Sequence, residues 1–113
     1  MKLIIAGSRN FEDYEVLKRR IDVLPFEITE IISGNARGAD SLGEWYAAEN
    51  EIQVRVYPAN WSKYGKPAGY IRNKEMAEVA DALIAFWDGK SKGTKHMIDI
   101  ALDKGLEVIV EYI

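Results

Sequence analysis

Ile28-Thr29-Glu30-Ile31-Ile32-Ser33-Gly34-Asn35-Ala36-Arg37-Gly38-Ala39-Asp40 is the stretch on which the fold turns. An apolar run of strand length ends at Ser33, and two glycines then bracket a short polar turn. A helical pattern follows at once: Ala39, Leu42, Gly43, Tyr46 and Ala47 recur at the i, i+3, i+4, i+7, i+8 spacing of a one-faced helix, which runs to about Asn50. Strand, glycine turn and helix in that order is the unit of a parallel sheet.

The same unit recurs on both sides. Leu3-Ile4-Ile5-Ala6 is a run suited to a strand buried on both faces, and it empties into Gly7-Ser8-Arg9-Asn10. Asp13 is an expected N-cap for a helix that carries Val16, Leu17, Ile21 and Leu24 on one face and ends near Pro25. Ile52 to Tyr57 alternates with period two, as an edge strand with one wetter face would. Pro58 to Lys66 reads as a loop, and Pro67 suits the first turn of a helix reaching about Val79. Ala82 to Phe86 is a fourth strand, followed by Asp88-Gly89-Lys90-Ser91-Lys92-Gly93-Thr94 and a helix with Met97, Ile98, Ala101 and Leu102 inward. Lys104-Gly105 closes it, and Glu107 to Val110 is the last strand. The expected fold is α/β: one domain over residues 1–113, a doubly wound, mainly parallel sheet of about five strands with helices on both faces.

Composition narrows the function. With 113 residues, 48% apolar and 29% charged, the chain can bury one core. The net charge of -3 gives no general attraction for nucleic acid or an anionic membrane, so nucleic acid is not the expected partner. The absence of cysteine removes disulfides, thiolate metal sites and a Cys nucleophile. The apolar run at the N-terminus is too short for a signal peptide and no segment is long enough to span a bilayer, so the expected location is the cytoplasm. His96 is the only histidine; it has no partner at metal spacing and reads as outward-facing, so neither a metal site nor a cofactor is expected.

What remains is the set of turns at the carboxyl ends of the strands, the edge of an open α/β sheet where ligands bind. Ser8 can donate to a phosphate oxygen and Arg9 can fork onto one, or this is a plain turn with a solvated arginine. In the second turn Gly34, Asn35, Arg37 and Gly38 bring free amides and a guanidinium to a helix N-terminus, without the ending of a P-loop. Asp40 either holds ribose hydroxyls, orients a catalytic water, or satisfies amides at the helix start. Arg72 lies on the otherwise apolar stripe Ala68, Arg72, Met76, Val79, so it needs an internal carboxylate or an anionic ligand. Asn73 beside it either caps a turn or binds a base edge. Trp61 and Tyr64, with Lys63 and Lys66, either stack a base and draw in phosphate or plug the sheet edge. Gly93 and Thr94 open the last helix as a third amide cradle. Trp45 and Trp87 are assigned to packing.

Taken together, Gly7-Ser8-Arg9, Ser33 to Asp40, Pro58-Ala59-Asn60-Trp61, Tyr64-Gly65-Lys66, Ala68-Gly69 with Ile71-Arg72-Asn73, and Gly93-Thr94 resemble the YspA-related family of the SLOG superfamily, over nearly the whole chain. The resemblance implies a Rossmann-like fold that binds nucleotides or nucleotide-derived ligands, among relatives that include phosphoribohydrolases of the lonely-guy type, the DNA-processing protein DprA and sensors of nucleotide signals. Those hydrolases carry Pro-Gly-Gly-x-Gly-Thr-x-x-Glu, whereas this chain keeps Gly93-Thr94 but has Met97 where the catalytic Glu would stand. A thioether cannot act as a general base, so that mechanism is not expected here. Asn35 also replaces a frequent family glycine.

Three functions follow as expectations. The first is binding of a nucleotide-like small molecule, including ADP-ribose-like compounds, by a sensor, carrier or sequestering protein. The second is cleavage or transfer at an N-glycosidic bond, with Asp40 or Asp88 as the carboxylate. The third is a single-stranded DNA module. A homo-oligomer is a further expectation, with Trp87, Tyr112 or Ile113 as contacts.

Overall fold

The computed structural model describes residues 1–113. Five strands, β1 (Lys2–Gly7), β2 (Glu30–Ser33), β3 (Gln53–Val56), β4 (Ala82–Trp87) and β5 (Glu107–Tyr112), pair entirely in parallel in the order β3-β2-β1-β4-β5. Five helices connect them: α1 (Tyr14–Asp22), α2 (Ala39–Glu49), α3 (Trp61–Tyr64), α4 (Ala68–Val79) and α5 (Lys92–Asp103). No helix is long and apolar enough to cross a membrane.

Alternation along β1 builds the two layers. Leu3 and Ile5 point to one side, where Leu17 and Ile21 of α1 and Ala39, Tyr46 and Ala47 of α2 cover them. Ile4 and Ala6 point to the other, against Met76 and Ala77 of α4 and Met97, Ile98 and Ala101 of α5. A central strand apolar on both faces therefore carries a helix layer on each. Phe11, just after the first turn, stacks on Phe86 at 5.0 Å and seals the first layer at the carboxyl end of the sheet.

The strand order reverses between β1 and β4: from β1 the chain winds outward through β2 to β3, then returns to β4 and β5 on the other side. The carboxyl ends of β1 and β4 diverge there into turns on opposite faces, which opens a crevice at the switch point. β3 is the expected edge strand, but all four of its residues are exposed, so both faces are wet rather than one.

Several local expectations are corrected. The loop after β3 contains a single helical turn, α3, because the Asn60 side chain accepts from Lys63 N at 3.1 Å and so caps it. α1 stops at Asp22, before Pro25, although Leu24 still packs on the core. Leu102 is 59% exposed rather than inward, since the buried stripe of α5 runs through Thr94, Met97, Ile98 and Ala101 and has turned away by the next residue. Trp45 is half exposed on the outer face, stacked on Tyr14 at 4.1 Å. Trp87 is half-buried and donates from Nε1 to Ser91 O at 3.0 Å.

Candidate functional site

The first two turns are built against each other. A Cβ on Gly7 would lie 2.4 Å from Phe86 O, so only glycine lets the ends of β1 and β4 approach this closely. Gly38 has φ +77°, and a Cβ there would lie 2.3 Å from Ser8 O and 2.6 Å from the carbonyl carbon of Arg9. Asn35 also sits in the left-handed region at φ 58°, which asparagine tolerates best after glycine and which accounts for both residue types at this position. Its N–H donates to Ser33 Oγ at 3.0 Å, and Ser33 in turn donates to Glu44 Oε2 at 2.6 Å, so α2 holds the turn from below.

Asp40, only 7% exposed, turns back toward this segment and accepts from Ala36 N at 3.2 Å. The amide-satisfying role expected of an acid at the helix start is thus real. The residue is unusual all the same: burial pushes its pKa up to about 6, against the opposing pull of the Ala36 amide and of Arg72. It is the one carboxylate near the crevice that exchanges its proton close to neutrality. Asp88 is different. Its Oδ1 accepts from the amides of Lys90 and Ser91, each at 2.8 Å, and these hold its pKa below the usual value, so it serves the turn as an exposed anion.

Arg72 comes from the opposite layer, on α4. Nη1 donates to Gly34 O at 2.6 Å and Nε to Asn73 Oδ1 at 3.0 Å, while Nη2 makes no hydrogen bond. It takes part in none of the four ion pairs of the protein. Burial lowers its pKa, the Asp40 carboxylate opposes that, and Arg9 adds to it. Neither sequence alternative is complete, because the arginine is anchored by a carbonyl and an amide, with Asp40 nearby but unpaired to it.

Around these residues lies a crevice of about 240 Å³ at the switch point. Ala6, Met76 and Met97 line its apolar part; Gly7, Arg9, Ala36, Asp40, Arg72 and Asn73 line its polar part; Ser91, Gly93 and Thr94 supply the start of α5, and Trp61, Lys66, Gly69 and Tyr70 complete it. A second hollow of about 340 Å³, reaching Gly34, Asn35, Arg37, Pro58 and Ala59, shares Arg9, Ala36, Trp61 and Arg72 with the first. Trp61 is 51% exposed, with its ring edge over Gly69.

Eight of the fourteen expected ligand-binding residues line the crevice itself, and six do not. Ser8 borders the crevice through its neighbours only; its hydroxyl is buried without a hydrogen-bond partner, and although close enough to Asp88 to favour that carboxylate slightly, it does not reach hydrogen-bonding geometry. Tyr64 is exposed with Lys63 over its ring and lines neither hollow. Gly34, Asn35 and Arg37 line only the outer one, and Gly38 lines neither. Met97, standing where related hydrolases carry Glu, is buried and lines the crevice.

His96 is the clearest correction. It is half-buried, with its ring tilted 35° against Tyr70 at 4.3 Å between centroids and Nδ1 3.1 Å from Asn73 Nδ2, because α5 packs along α4. Tyr70, Ser91 and Met76 were also missed as lining residues; only Met76, on the Arg72 stripe, carried a usable sequence signal.

Residues 1–64 match the family model described as YAcAr, the YspA, cpYpsA-related SLOG family. The chain belongs to that family. The matched residues carry both turns of the first layer and Trp61, while α4 and α5 lie beyond them. The Gene 61 protein of Mycobacterium phage D29 is similar to this SLOG chain over almost its full length: 32% identical over 118 residues, covering 96% of this chain and 94% of the phage protein. Among solved structures, DNA processing protein A (DprA) from Streptococcus pneumoniae has the same fold, with a TM-score of 0.76 at 19% identity. The likeness covers 96% of this chain and 49% of that one, so the chain spans about half the length of the DprA structure.

Proposed function

We propose that residues 1–113 act as one cytoplasmic domain that binds a nucleotide or nucleotide-derived ligand, as a sensor, carrier or sequestering protein. The observation that supports this most is Arg72: a half-buried guanidinium in the crevice, outside every ion pair, with Nη2 unpartnered. The Asp40 carboxylate offsets only part of the cost of burying this cation and makes no ion pair with it, and a phosphate between Arg72 and Arg9 removes the rest. Asp40 then accepts from ribose hydroxyls, the Gly7, Asn35–Gly38 and Gly93-Thr94 backbone surrounds the phosphates, and Trp61 covers the base. The test is calorimetry and thermal shift with AMP, NAD, ADP-ribose and cyclic dinucleotides, followed by mass analysis of each ligand. A shift with intact ligand supports the reading, and no binding by any of them defeats it.

A second reading, N-glycosidic cleavage, is favoured by the buried Asp40 carboxyl bordering the crevice, whose burial pushes its pKa up to about 6. It requires free base or ribose phosphate after incubation, and loss of that product in Asp40→Asn. The fold shared with a DNA-processing protein keeps a single-stranded DNA role as an outcome of the same screen, despite the net charge of -3; an oligo-dT arm with steep salt dependence would select it. Tyr112 and Ile113, exposed beside Trp87, are the surface through which we expect self-association. Sedimentation of the wild type and Tyr112→Glu checks this: an unchanged monomer in both would exclude it.

A further inference from the structure

We propose that His96 is a positioning residue for Arg72, acting through Asn73: in the neutral tautomer that carries its proton on Nε2, it fixes the Asn73 amide that holds the guanidinium over the crevice. This rests on the nucleotide-binding reading for its consequence, although not for its geometry.

The orientation of the Asn73 amide is set by chemistry. Arg72 Nε can only donate, so the atom 3.0 Å from it is the amide oxygen; Gly93 O can only accept, so the atom 3.3 Å from it is the amide nitrogen. That nitrogen also lies 3.1 Å from His96 Nδ1, which must therefore present a lone pair. Asn73 is 5% exposed, so water does not substitute for these partners. A proton on Nδ1 would face the Asn73 N–H head-on. Rotating the amide to relieve this would turn N–H groups toward Arg72 Nε and the oxygen toward Gly93 O, breaking both other bonds. A single proton on His96 thereby reaches Arg72 through one side chain.

The groups around His96 leave this contact in control. From α4 it meets Tyr70, tilted against its ring, and Asn73. From α5 the carboxylate acting on it is Asp99, itself paired with Lys95 at 2.7 Å. Burial outweighs the pull of Asp99 and lowers the imidazole pKa, in line with a ring kept neutral. The clamp on Arg72 is closed above the His96 pKa and loosens below it.

The test uses the full chain without ligand. The Nε–H resonance of Arg72 and the ring resonances of His96 are followed by NMR from pH 8 to pH 5, in the wild type and in Asp40→Asn, which removes the other titration felt by Arg72. The expected result is an Arg72 inflection at the His96 midpoint that survives Asp40→Asn and disappears in His96→Phe. An Arg72 resonance indifferent to His96 overturns the inference. AMP affinity at pH 7.5 gives the second readout. His96→Phe keeps a ring against Tyr70 but loses the acceptor and should weaken binding about three- to tenfold, and His96→Gln, which can accept but not titrate, should recover most of it. Equal affinity of wild type and His96→Phe for AMP also counts against the relay. If Arg72 follows His96 while AMP binds none of the proteins, the relay stands and the nucleotide reading fails.

Discussion

A methyl group at position 34 would lie 2.7 Å from Arg72 Nη1 and 2.8 Å from an Asp40 carboxylate oxygen. Arg72 can swing aside, but the short, buried Asp40 side chain is held by the Ala36 amide, so Gly34→Ala should displace both groups, cost about 1–3 kcal/mol in folding and clearly weaken nucleotide binding. Gly38→Ala meets backbone atoms in a left-handed conformation instead, and should cost about 2–3 kcal/mol in chemical denaturation. Asp40 adds a pH dependence. Its folded pKa of about 6 exceeds the unfolded value of 3.8, so between these values the folded chain keeps a proton that the unfolded chain has released. Stability therefore falls as pH rises through that window and levels off above it. Denaturation of the wild type against Asp40→Asn should show this difference, on the order of 3 kcal/mol, developing between about pH 4 and pH 6; parallel curves would contradict it. In the sequence Asp40 and Arg72 could each be singled out, one as an acid at a helix start and the other as a charge on an apolar stripe. Their meeting above Gly34 could not, because it depends on two helices from opposite layers.

At the scale of elements, apolar strands and glycine turns were legible because each βα unit carries its own boundary in Gly7, Gly34 and Asp88-Gly89. α3 was not, since one turn of helix has no hydrophobic period and depends on the Asn60 cap. His96 was misread for a related reason: nothing in the α5 sequence says that α4 lies against that face. α3 also carries a prediction. Trp61 is 51% exposed and contributes little to the core, so Trp61→Ala should leave the melting temperature nearly unchanged. Base stacking on an aromatic ring is worth about 1–3 kcal/mol, and the variant should bind nucleotides about tenfold more weakly. Equal affinity would mean that the indole covers the sheet edge and nothing more.

For the molecule as a whole, the doubly wound sheet explains why glycine turns separated by most of the chain serve one crevice. Strand order β3-β2-β1-β4-β5 sends the connections after β1 and β4 to opposite faces, and the space left between them receives Arg9 from one side and Arg72 from the other. The fold and the position of the switch-point crevice were thus readable from the order of elements, whereas the state of the cation in it was a matter of packing. Nucleotide binding through that cation is the central expectation. Calorimetric titration of AMP and ADP-ribose into the wild type and into Arg72→Ala, with unfolding curves for both, tests it most directly. Saturable binding to the wild type is expected and, from a charged hydrogen bond worth about 1.5–3 kcal/mol, a loss of about ten- to a hundredfold in a folded variant. Wild-type binding that survives undiminished in Arg72→Ala, or no binding to either protein, would contradict it.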